Sequence, residues 1–326
     1  MKCLVTGATG FLGTNLVHEL VKREWEVRAL GLPGSETKYI QELPVEIVFG
    51  DVTDPGDMKK HCRGAEVVFH VAGDTSFWKR LYERQRRVNV LGPSIVAEAC
   101  LENGVRRLVH TSTVDALGYN PDGVADETWG TYNYADQGYN YGDTKHEGER
   151  RVREFAGPAP EVVVIYPGSM VGPFDYTLQF GRLFAELRDG KVPACPRGAA
   201  GFGHVAEVAK AHIAAATLGR AGEGYICAGV NATYREMFEL IAAKVGKHAP
   251  KHDMPRWLMV LYGYLMEAMS SITNKAPQMN PGMARFMSTR AHYDSSKAVR
   301  ELGYVIQPLS RMVDDAHLWY VENGFL

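Results

Sequence analysis

The stretch Val5-Thr6-Gly7-Ala8-Thr9-Gly10-Phe11-Leu12-Gly13 follows an apolar run and precedes a segment with helical spacing. In a strand-turn-helix unit, the first glycine permits a tight turn, the second lets the backbone approach a pyrophosphate, and the third lets the helix pack closely on the strand. The helix N-terminus then offers free N–H groups and a positive dipole end to phosphate. The stretch therefore predicts a dinucleotide-binding loop formed by Gly7, Thr9, Gly10, Phe11, Leu12 and Gly13.

Short β-branched runs alternate with helical segments through the first half of the chain. The predicted strands are 2–5, 27–30, 45–49, 66–70, 107–110, 161–166 and 224–228, and the predicted helices are 13–23, 88–103, 141–155, 205–218 and 234–245. Crossovers of this length require a parallel sheet that is covered on both faces. We therefore expect an α/β fold in which residues 1–167 form a doubly wound Rossmann domain. Part of 204–228 returns to that domain, and 168–326 is mainly a smaller substrate-binding region.

The composition excludes several functional classes. Lys and Arg number 36 against 38 Asp and Glu, so the chain has no basic surplus for nucleic acid. The five cysteines are widely spaced and the histidines lack ligand spacing, which predicts free thiols and no metal site. The longest apolar stretch, 257–269, is shorter than the roughly 20 residues of a transmembrane span, and the first strand leaves no room for a signal peptide. We expect a cytoplasmic protein.

The residues predicted to bind the adenosine end of the dinucleotide are compatible with both NAD and NADP. A carboxylate at the end of the second strand would bind the 2′-hydroxyl of NAD. Gly31 stands at that position and leaves room for a 2′-phosphate, with Arg28 and Lys38 as the nearby cations. The sequence therefore predicts NADP or NAD, with a slight preference for NADP. Asp51 and Val52, after the third strand, are placed to contact adenine or to cap the strand end.

Tyr141 and Lys145 are four residues apart on a predicted helix, so they share one face. A neighbouring ammonium favours the phenolate and lowers a tyrosine pKa that is normally about 10. Such a tyrosine can exchange a proton with a carbonyl or an alcohol near neutral pH, and the lysine can also bind a nicotinamide ribose. The fifth strand ends in Thr111-Ser112-Thr113, at the edge where doubly wound sheets bind ligands. A hydroxyl there can hold the substrate oxygen for the tyrosine.

These motifs together resemble those of the extended short-chain dehydrogenase/reductases. In chain order they are Thr6–Gly13, Gly50–Val52, His70–Gly73, Asn89–Gly92, Thr111–Thr113, Tyr141–Lys145, Tyr293–Ala298 and Glu301–Tyr304. Within that superfamily the chain looks most similar to the dihydroflavonol-reductase-like and 3β-hydroxysteroid-dehydrogenase-like branch. The resemblance covers nearly the whole chain and implies hydride transfer between NAD(P) and a ketone/secondary-alcohol pair. It also implies a homodimer formed through the helices 89–103 and 141–155.

The resemblance also implies roles for individual residues. Tyr141 would be the acid/base, Lys145 would bind the ribose and lower the Tyr141 pKa, and Thr113 would hold the reacting oxygen. Ser112 is the alternative to Thr113. Asn89 matches the helix asparagine of the family, although a polar helix residue can equally bond the backbone. The cofactor would also be lined by Ala72, Gly73, Tyr166 and Gly168.

Two departures from the family pattern bear on the reaction. Sugar-nucleotide dehydratases place Asp-Glu directly after the catalytic threonine, where this chain has Val114 and Asp115, so we do not expect 4,6-dehydration. Epimerases that retain NAD generally carry an aspartate at the position of Gly31, and its absence disfavours an epimerase. A sugar-nucleotide epimerase with tightly bound NAD and a non-catalytic dinucleotide sensor are the two alternatives to a reductase.

The substrate is indicated only by side-chain chemistry. Seven of the twelve methionines fall between 254 and 287, interleaved with Trp257, Tyr262, Tyr264 and Phe286. Methionine-rich apolar surfaces adapt to irregular hydrophobic ligands. The segment predicts a pocket for an apolar ketone, an ordinary core or dimer contact, or a helix on a membrane surface. The residues predicted to contact the substrate are Ser112, Asp115, Tyr139 and Met170.

Overall fold

The computed structural model describes all residues from 1 to 326. Its strands are β1 Lys2–Thr6, β2 Glu26–Gly31, β3 Glu46–Phe49, β4 Val67–His70, β5 Arg107–Thr111, β6 Val124–Ala125, β7 Glu161–Pro167, β8 Ser169–Val171, β9 Cys195–Pro196, β10 Ala199–His204, β11 Gly224–Cys227, β12 Val230–Thr233, β13 Asp253–Met254 and β14 His292–Tyr293. Seven of them form one parallel sheet in the order β11-β7-β5-β4-β1-β2-β3. This order places β1 between the two halves of the sheet, where a doubly wound fold opens its ligand crevice.

Thirteen α-helices accompany the strands. They are α1 Phe11–Val21, α2 Pro55–Cys62, α3 Tyr82–Arg86, α4 Gly92–Glu102, α5 Val114–Leu117, α6 Asn140–Arg153, α7 Gly181–Arg188, α8 Val205–Thr217, α9 Tyr234–Lys244, α10 Arg256–Thr273, α11 Pro281–Met287, α12 Ser296–Leu302 and α13 Leu309–Glu322. Helices α1 and α8 cover one face of the large sheet, and α2, α4 and α6 cover the other. The predicted α/β class with a doubly wound parallel sheet is confirmed.

The helix predicted over 88–103 is interrupted. The structure has a π-helical turn at Arg87–Leu91 before α4 begins at Gly92. Pro93 lies in the first turn of α4 and has no N–H to donate to the preceding turn. The backbone therefore widens locally, which is the usual setting of a π-helical turn.

The second half of the chain builds a smaller region beside the large sheet. Strands β8, β10 and β12 form a three-stranded sheet, and α7, α9 and α13 pack around a separate core that includes Phe184, Phe202 and Tyr320. The chain also returns to the large sheet through α8, β11 and α12. No helix of the structure is both long and apolar enough to cross a membrane.

Two histidines near the carboxyl ends of β4 and β5 are buried and stack on each other. The ring centroids of His70 and His110 are 5.4 Å apart, and Nδ1 of His70 lies 2.8 Å from the Thr6 hydroxyl. Neither ring nitrogen of His110 has a protein partner. Burial, and to a smaller extent the Lys145 ammonium, lower the pKa of both rings, that of His70 to about 3. Both imidazoles are therefore neutral at pH 7.

We predict that His110→Phe leaves the free energy of unfolding at pH 7.5 unchanged or raises it, because an apolar ring replaces an unpartnered buried polar one. In the unfolded chain a histidine takes up a proton below about pH 6.5, whereas folded His110, with its lowered pKa, stays neutral. This difference makes the wild type less stable as the pH falls. Between pH 6 and 5 the free energy of unfolding of the variant should therefore fall less steeply than that of the wild type. The difference in slope is at most about 1.4 kcal/mol per pH unit. Urea unfolding at several pH values measures both effects.

His248→Gln is the control, because His248 is exposed; its stability at pH 7.5 should equal that of the wild type. A loss of more than about 1 kcal/mol at pH 7.5 in His110→Phe would contradict the prediction, since a loss of that size indicates that the ring nitrogens are satisfied by a bound polar group.

Candidate active site

The glycine-rich loop after β1 is held by close backbone contacts. Gly7 has φ +66°, and a Cβ there would lie 2.7 Å from the Cα of Ala72. A Cβ on Gly13 would lie 2.0 Å from the Gly7 carbonyl oxygen. Gly10 precedes α1, and its Cβ position meets only that same carbonyl oxygen, at 3.2 Å. The loop is thus tight against the segment after β4 and open on the side of Gly10.

The start of α1 is available to an anionic ligand. No side chain caps this helix, so the N–H groups of its first turn have no capping partner. The Tyr176 hydroxyl donates to the Thr9 carbonyl and closes one side of the loop. Tyr39 stacks on Tyr176 at 5.1 Å, and the Lys38 ammonium lies 5.4 Å from the Tyr39 ring centroid. Sequence reasoning missed Tyr39 and Tyr176, because no local pattern marks residues that meet only in the fold.

At the end of β2, where the adenosine ribose is predicted to bind, the structure differs from one predicted contact. A Cβ on Gly31 would lie 2.9 Å from Cγ2 of Thr9, so the Thr9 side chain fills the place of a carboxylate. Arg28 donates to the Glu46 carboxylate at 2.8 Å and to two backbone carbonyls at the end of α2. These partners hold the Arg28 guanidinium away from the carboxyl end of β2, which argues against the predicted contact with the cofactor. Lys38 is exposed and its ammonium forms no ion pair, although its backbone N–H donates to the Glu36 carboxylate at 2.8 Å.

The residues after β3 form a compact turn. Asp51 Oδ1 accepts hydrogen bonds from the N–H and the hydroxyl of Thr53, at 2.8 and 2.9 Å. Val52 is buried, and its side chain lies 3.3 Å from the Cβ position of Gly92. Only Oδ2 of Asp51 remains without a partner, so contact with adenine stays a prediction for that oxygen.

Helix α6 carries Tyr141 and Lys145 and is tied to β5. The buried Lys145 ammonium donates to the Thr111 carbonyl at 2.6 Å, and burial lowers its pKa to about 8. Thr113 begins the short helix α5, where its hydroxyl accepts from the Asp115 N–H at 3.3 Å. The Tyr141 phenol lies near the same hydroxyl, which lowers the pKa of the phenol. The structure therefore brings the three predicted catalytic side chains together.

The electrostatics of Tyr141 differ from the prediction. Burial raises the pKa of the phenol, the negative charge of Asp115 raises it further, and the nearby Thr113 hydroxyl lowers it. The sequence predicted a lowered pKa beside Lys145, but the ammonium is turned toward the Thr111 carbonyl. The effect of Lys145 on the phenol stays a prediction.

An aromatic wall stands beside Tyr141. The Tyr139 hydroxyl donates to Asp115 at 2.8 Å, and its ring stacks on Phe286 at 4.7 Å. Phe77 packs on both tyrosines of this wall, at 6.1 Å from Tyr139 and 6.4 Å from Tyr141. Burial raises the pKa of Asp115 to about 6. Sequence reasoning selected Tyr139 and Asp115 but missed Phe77, and it placed Phe286 only in a general apolar segment.

Two predicted contacts are instead parts of a buried network. The Ser112 hydroxyl donates to Glu149 at 2.6 Å, and the Tyr166 hydroxyl donates to the other oxygen of the same carboxylate. Arg153 also donates to Glu149 and to the Tyr166 hydroxyl. Both hydroxyls point beneath the site toward α6, which argues against a substrate contact by the Ser112 side chain. Tyr166 can meet a cofactor only through its backbone.

Asn89 is a positioning residue. Its Nδ2 donates to the Asp74 carbonyl at 2.9 Å and to the Thr144 hydroxyl at 3.1 Å, and its Oδ1 accepts from the Asp74 N–H at 2.8 Å. The side chain is buried and ties the segment after β4 to α6. These bonds use both side-chain donors and the side-chain oxygen of Asn89, and a catalytic role for this residue stays a prediction.

The remaining predicted residues have defined positions but untested roles. The Ala72 N–H donates to the Thr6 hydroxyl at 3.3 Å, and Gly73 is exposed beside it. Gly168 lies against β10, where its Cβ would be 2.4 Å from the Gly201 carbonyl oxygen. Met170, on β8, packs against the core beneath α1 and α8. Contacts of Ala72, Gly73 and Gly168 with a cofactor, and of Met170 with a substrate, stay predictions.

The arrangement fits a nicotinamide dinucleotide. An uncapped helix N-terminus and an open glycine suit the pyrophosphate, and a lysine with a titratable tyrosine stands at the far end of the same sheet edge. The hydroxyls of Tyr141 and Thr113 can together bind one oxygen atom of a substrate. The chemistry available at this point is proton exchange with a carbonyl or hydroxyl group.

Comparisons with known proteins agree with this geometry. Residues 3–228 match the NAD dependent epimerase/dehydratase family. The chain is 30% identical to sterol demethylase protein B of Methylococcus capsulatus, with 100% of both chains covered. It is 31% identical to 3β-hydroxysteroid-dehydrogenase/decarboxylase isoform 1 of Arabidopsis thaliana, covering 93% of this chain and 75% of that one.

A solved structure shows the same fold. The crystal structure of a nucleoside-diphosphate-sugar epimerase from Pseudomonas aeruginosa matches with a TM-score of 0.81 at 21% identity, covering 100% of this chain and 99% of that one. The predicted resemblance to the extended short-chain dehydrogenase/reductases is confirmed. Since the family match runs from β1 to the end of β11, this protein belongs to the NAD dependent epimerase/dehydratase family, a family of enzymes.

Proposed function

We propose that this protein is an NAD(P)-dependent reductase or dehydrogenase that interconverts a ketone and a secondary alcohol on an apolar or sugar-like small molecule. The observation that carries the proposal is the position of Tyr141, which lies beside Thr113 and close to Lys145 at the carboxyl end of β5. Family membership supports an oxidoreductase that uses a nicotinamide cofactor. The reaction, the substrate class and the residue roles are the proposed part.

In the reducing direction, Tyr141 donates its phenolic proton to the carbonyl oxygen of the substrate. Thr113 holds that oxygen with its hydroxyl, and Lys145 binds the ribose next to the nicotinamide. When bound, the cofactor supplies the hydride that the carbonyl carbon accepts. Hydride and proton together convert the ketone into the alcohol, and the reverse transfer needs Tyr141 as a base. The raised pKa of Tyr141 keeps the phenol protonated at neutral pH, as an acid requires.

The surroundings of Tyr141 favour an apolar substrate. Phe77, Tyr139 and Phe286 form one wall of the site, and aromatic rings bury apolar rings well. The residue after Thr113 is Val114, and the next carboxylate, Asp115, is bonded to Tyr139. This arrangement lacks the adjacent acid pair of a dehydratase. The names of two relatives, a sterol demethylase protein and a hydroxysteroid dehydrogenase, support the same substrate class.

A homodimer and a cytoplasmic location complete the proposal. The dimer would form through the face built by α4 and α6, where Leu91 and Leu101 are 44% and 55% exposed. Exposed leucines on one face suit a partner surface. Sedimentation velocity tests the dimer, and a monomer at micromolar concentration would contradict it.

We predict that Tyr141→Phe lowers kcat for ketone reduction by at least about a hundredfold, because general acid catalysis contributes roughly 10²–10⁴. The affinity for NAD(P)H should change less than about twofold, since the phenol is not needed to bind the dinucleotide. A panel of apolar ketones with NADPH or NADH gives the rates, and quenching of protein fluorescence gives the affinities. Tyr132→Phe is the matched control, because the Tyr132 hydroxyl bonds Asp143 outside the catalytic set.

Full turnover by Tyr141→Phe would sink the proposed mechanism. The epimerase alternative is tested on the wild type, which is denatured so that any retained nucleotide is released and identified. Stoichiometric NAD, together with conversion of a UDP-sugar without net use of cofactor, would replace the reductase by an epimerase. A protein that binds NADPH or NADH reversibly supports the reductase.

The charge of Asp115 should set the pH dependence of alcohol oxidation. In that direction Tyr141 must lose its proton, so the rate rises with pH toward the pKa of the phenol. Asp115→Asn removes the charge that raises this pKa, and we expect the rising limb of the kcat/KM profile to move to lower pH. Glu127→Gln is the control, because Glu127 bonds the Ile226 N–H instead. An unchanged profile in Asp115→Asn would contradict this reading.

The preference for NADP should depend on Lys38. We predict that Lys38→Ala weakens NADPH binding about fivefold and leaves NADH binding unchanged, because only NADPH carries a 2′-phosphate for this exposed cation. High salt should reduce the difference. Arg28→Lys is the control, because Arg28 is committed to Glu46. An equal loss of affinity for NADPH and NADH would show that Lys38 does not bind the 2′-phosphate.

A further inference from the structure

Helix α10 is amphipathic, but its apolar face is turned outward. The buried positions of Arg256–Thr273 are Met259, Gly263 and Ser270, which share one side of the helix. Gly263 lets α10 cross the start of α11 closely, since a Cβ there would lie 2.8 Å from the Asn280 carbonyl carbon. The helix therefore packs through a narrow stripe of three buried residues.

The opposite side of α10 is apolar over its whole length. The exposed apolar residues, which we call the α10 stripe, are Trp257, Leu258, Leu261, Tyr264, Leu265, Ala268, Met269 and Ile272. Their spacing places them on one face of about four helical turns. Trp257 is 68% exposed and Ile272 is 85% exposed. A globular protein rarely leaves such a contiguous apolar face in water, so the α10 stripe indicates a surface that is covered in use.

The surroundings of the α10 stripe are basic, although the chain as a whole has a net charge of −2. The 3₁₀ turn Lys79–Leu81 lies against the end of α10, where Arg80 bonds Asn274. Segments 77–82 and 254–290 together contain one carboxylate, Glu267, and six basic residues: Lys79, Arg80, Arg256, Lys275, Arg285 and Arg290. None of the six forms an ion pair with a carboxylate within the chain, where the Arg and Lys side chains of other regions commonly do.

We propose that the α10 stripe docks in the plane of a membrane surface that contains anionic lipids. An interfacial helix combines a long apolar face with flanking cations, and α10 with its neighbours has both. The apolar side chains enter the boundary between headgroups and acyl chains, and the exposed cations Lys79, Arg256 and Lys275 meet lipid phosphates. Trp257, at one end of the helix, suits the membrane–water interface, because an indole ring can lie in the apolar layer while its N–H bonds to water or to headgroups.

The charge around the α10 stripe favours a membrane surface over a second copy of the chain as its partner. A two-fold contact through the α10 stripe would bring the basic residues of both copies to the same rim, where like charges repel. A bilayer with anionic headgroups supplies the complementary charge.

Only helix α11 would separate the docked helix α10 from the aromatic wall beside Tyr141. Helix α11 packs beneath α10, and its Phe286 stacks on Tyr139 in the aromatic wall. Asn280, which precedes α11, donates to the Phe77 carbonyl at 2.8 Å. A membrane contact at α10 therefore brings the aromatic wall close to a reservoir of apolar molecules.

The test is co-sedimentation of the full chain with vesicles, without substrate or cofactor, so its outcome is independent of the proposed reaction. We expect the protein to bind vesicles of phosphatidylglycerol and phosphatidylcholine more tightly than phosphatidylcholine alone, with a loss at high salt. The double variant Leu261→Ser/Leu265→Ser should bind about tenfold more weakly or worse. Lys79→Glu/Lys275→Glu should lose the preference for anionic vesicles.

The matched control is Leu218→Ser/Val305→Ser, which removes two exposed apolar side chains, 63% and 49% exposed, far from α10 in the fold. It should bind like the wild type, and circular dichroism checks that every variant is folded. Absence of vesicle binding by the folded wild type would overturn the proposal, as would equal binding by the Leu261/Leu265 double variant. A change of oligomeric state in that variant without vesicle binding would assign the α10 stripe to a second copy instead.

Discussion

The hydrogen bond from the Lys145 ammonium to the Thr111 carbonyl holds the candidate site together. It joins the helix that carries Tyr141 to the strand that leads into Thr113, at a distance of 2.6 Å and away from solvent. A buried ammonium is costly unless it is hydrogen-bonded and near a negative charge. Glu149 supplies that charge one turn further along α6 and raises the pKa of Lys145 against the effect of burial.

The same face of α6 continues this pattern over four turns. Tyr141, Lys145, Glu149 and Arg153 follow each other at intervals of four, so they form one row that faces the sheet. The row is polar where a helix covering a sheet is normally apolar. Lys145, Glu149 and Arg153 bond Thr111, Ser112 and Tyr166 in turn, and the Tyr141 phenol lies near Thr113. The three bonded members fix the register of the helix against the sheet. The network therefore fixes the position of the Tyr141 phenol.

The sequence was most informative where local pattern and fold agree. The seven strands of the sheet and the glycine loop follow from periodicity and glycine spacing, and the edge where parallel strands end indicates a hydroxyl of 111–113 near Tyr141. The choice of Thr113 follows from the family resemblance. Side-chain direction was not accessible in the same way: Arg28 and Ser112 stand near the expected site, but Glu46 and Glu149, distant in sequence, orient them elsewhere. The Tyr141 pKa also escaped prediction, because it depends on burial and on Asp115, whose nearness only the fold shows. Phe77 carries no local signal, and Phe286 is indicated only as part of the methionine-rich segment 254–287.

The Tyr141–Lys145 pair and the aromatic wall that faces it belong to different parts of the chain, and separate contacts hold each of them. The large sheet fixes Tyr141 through its buried network, whereas Phe286 comes from a short helix held between Tyr139 and α10. Asn280, which precedes α11, bonds the Phe77 carbonyl, and Arg285 of α11 bonds the Gln137 carbonyl. The wall is therefore held by contacts of its own and shares no hydrogen bond with the Lys145–Thr111 pair that positions Tyr141.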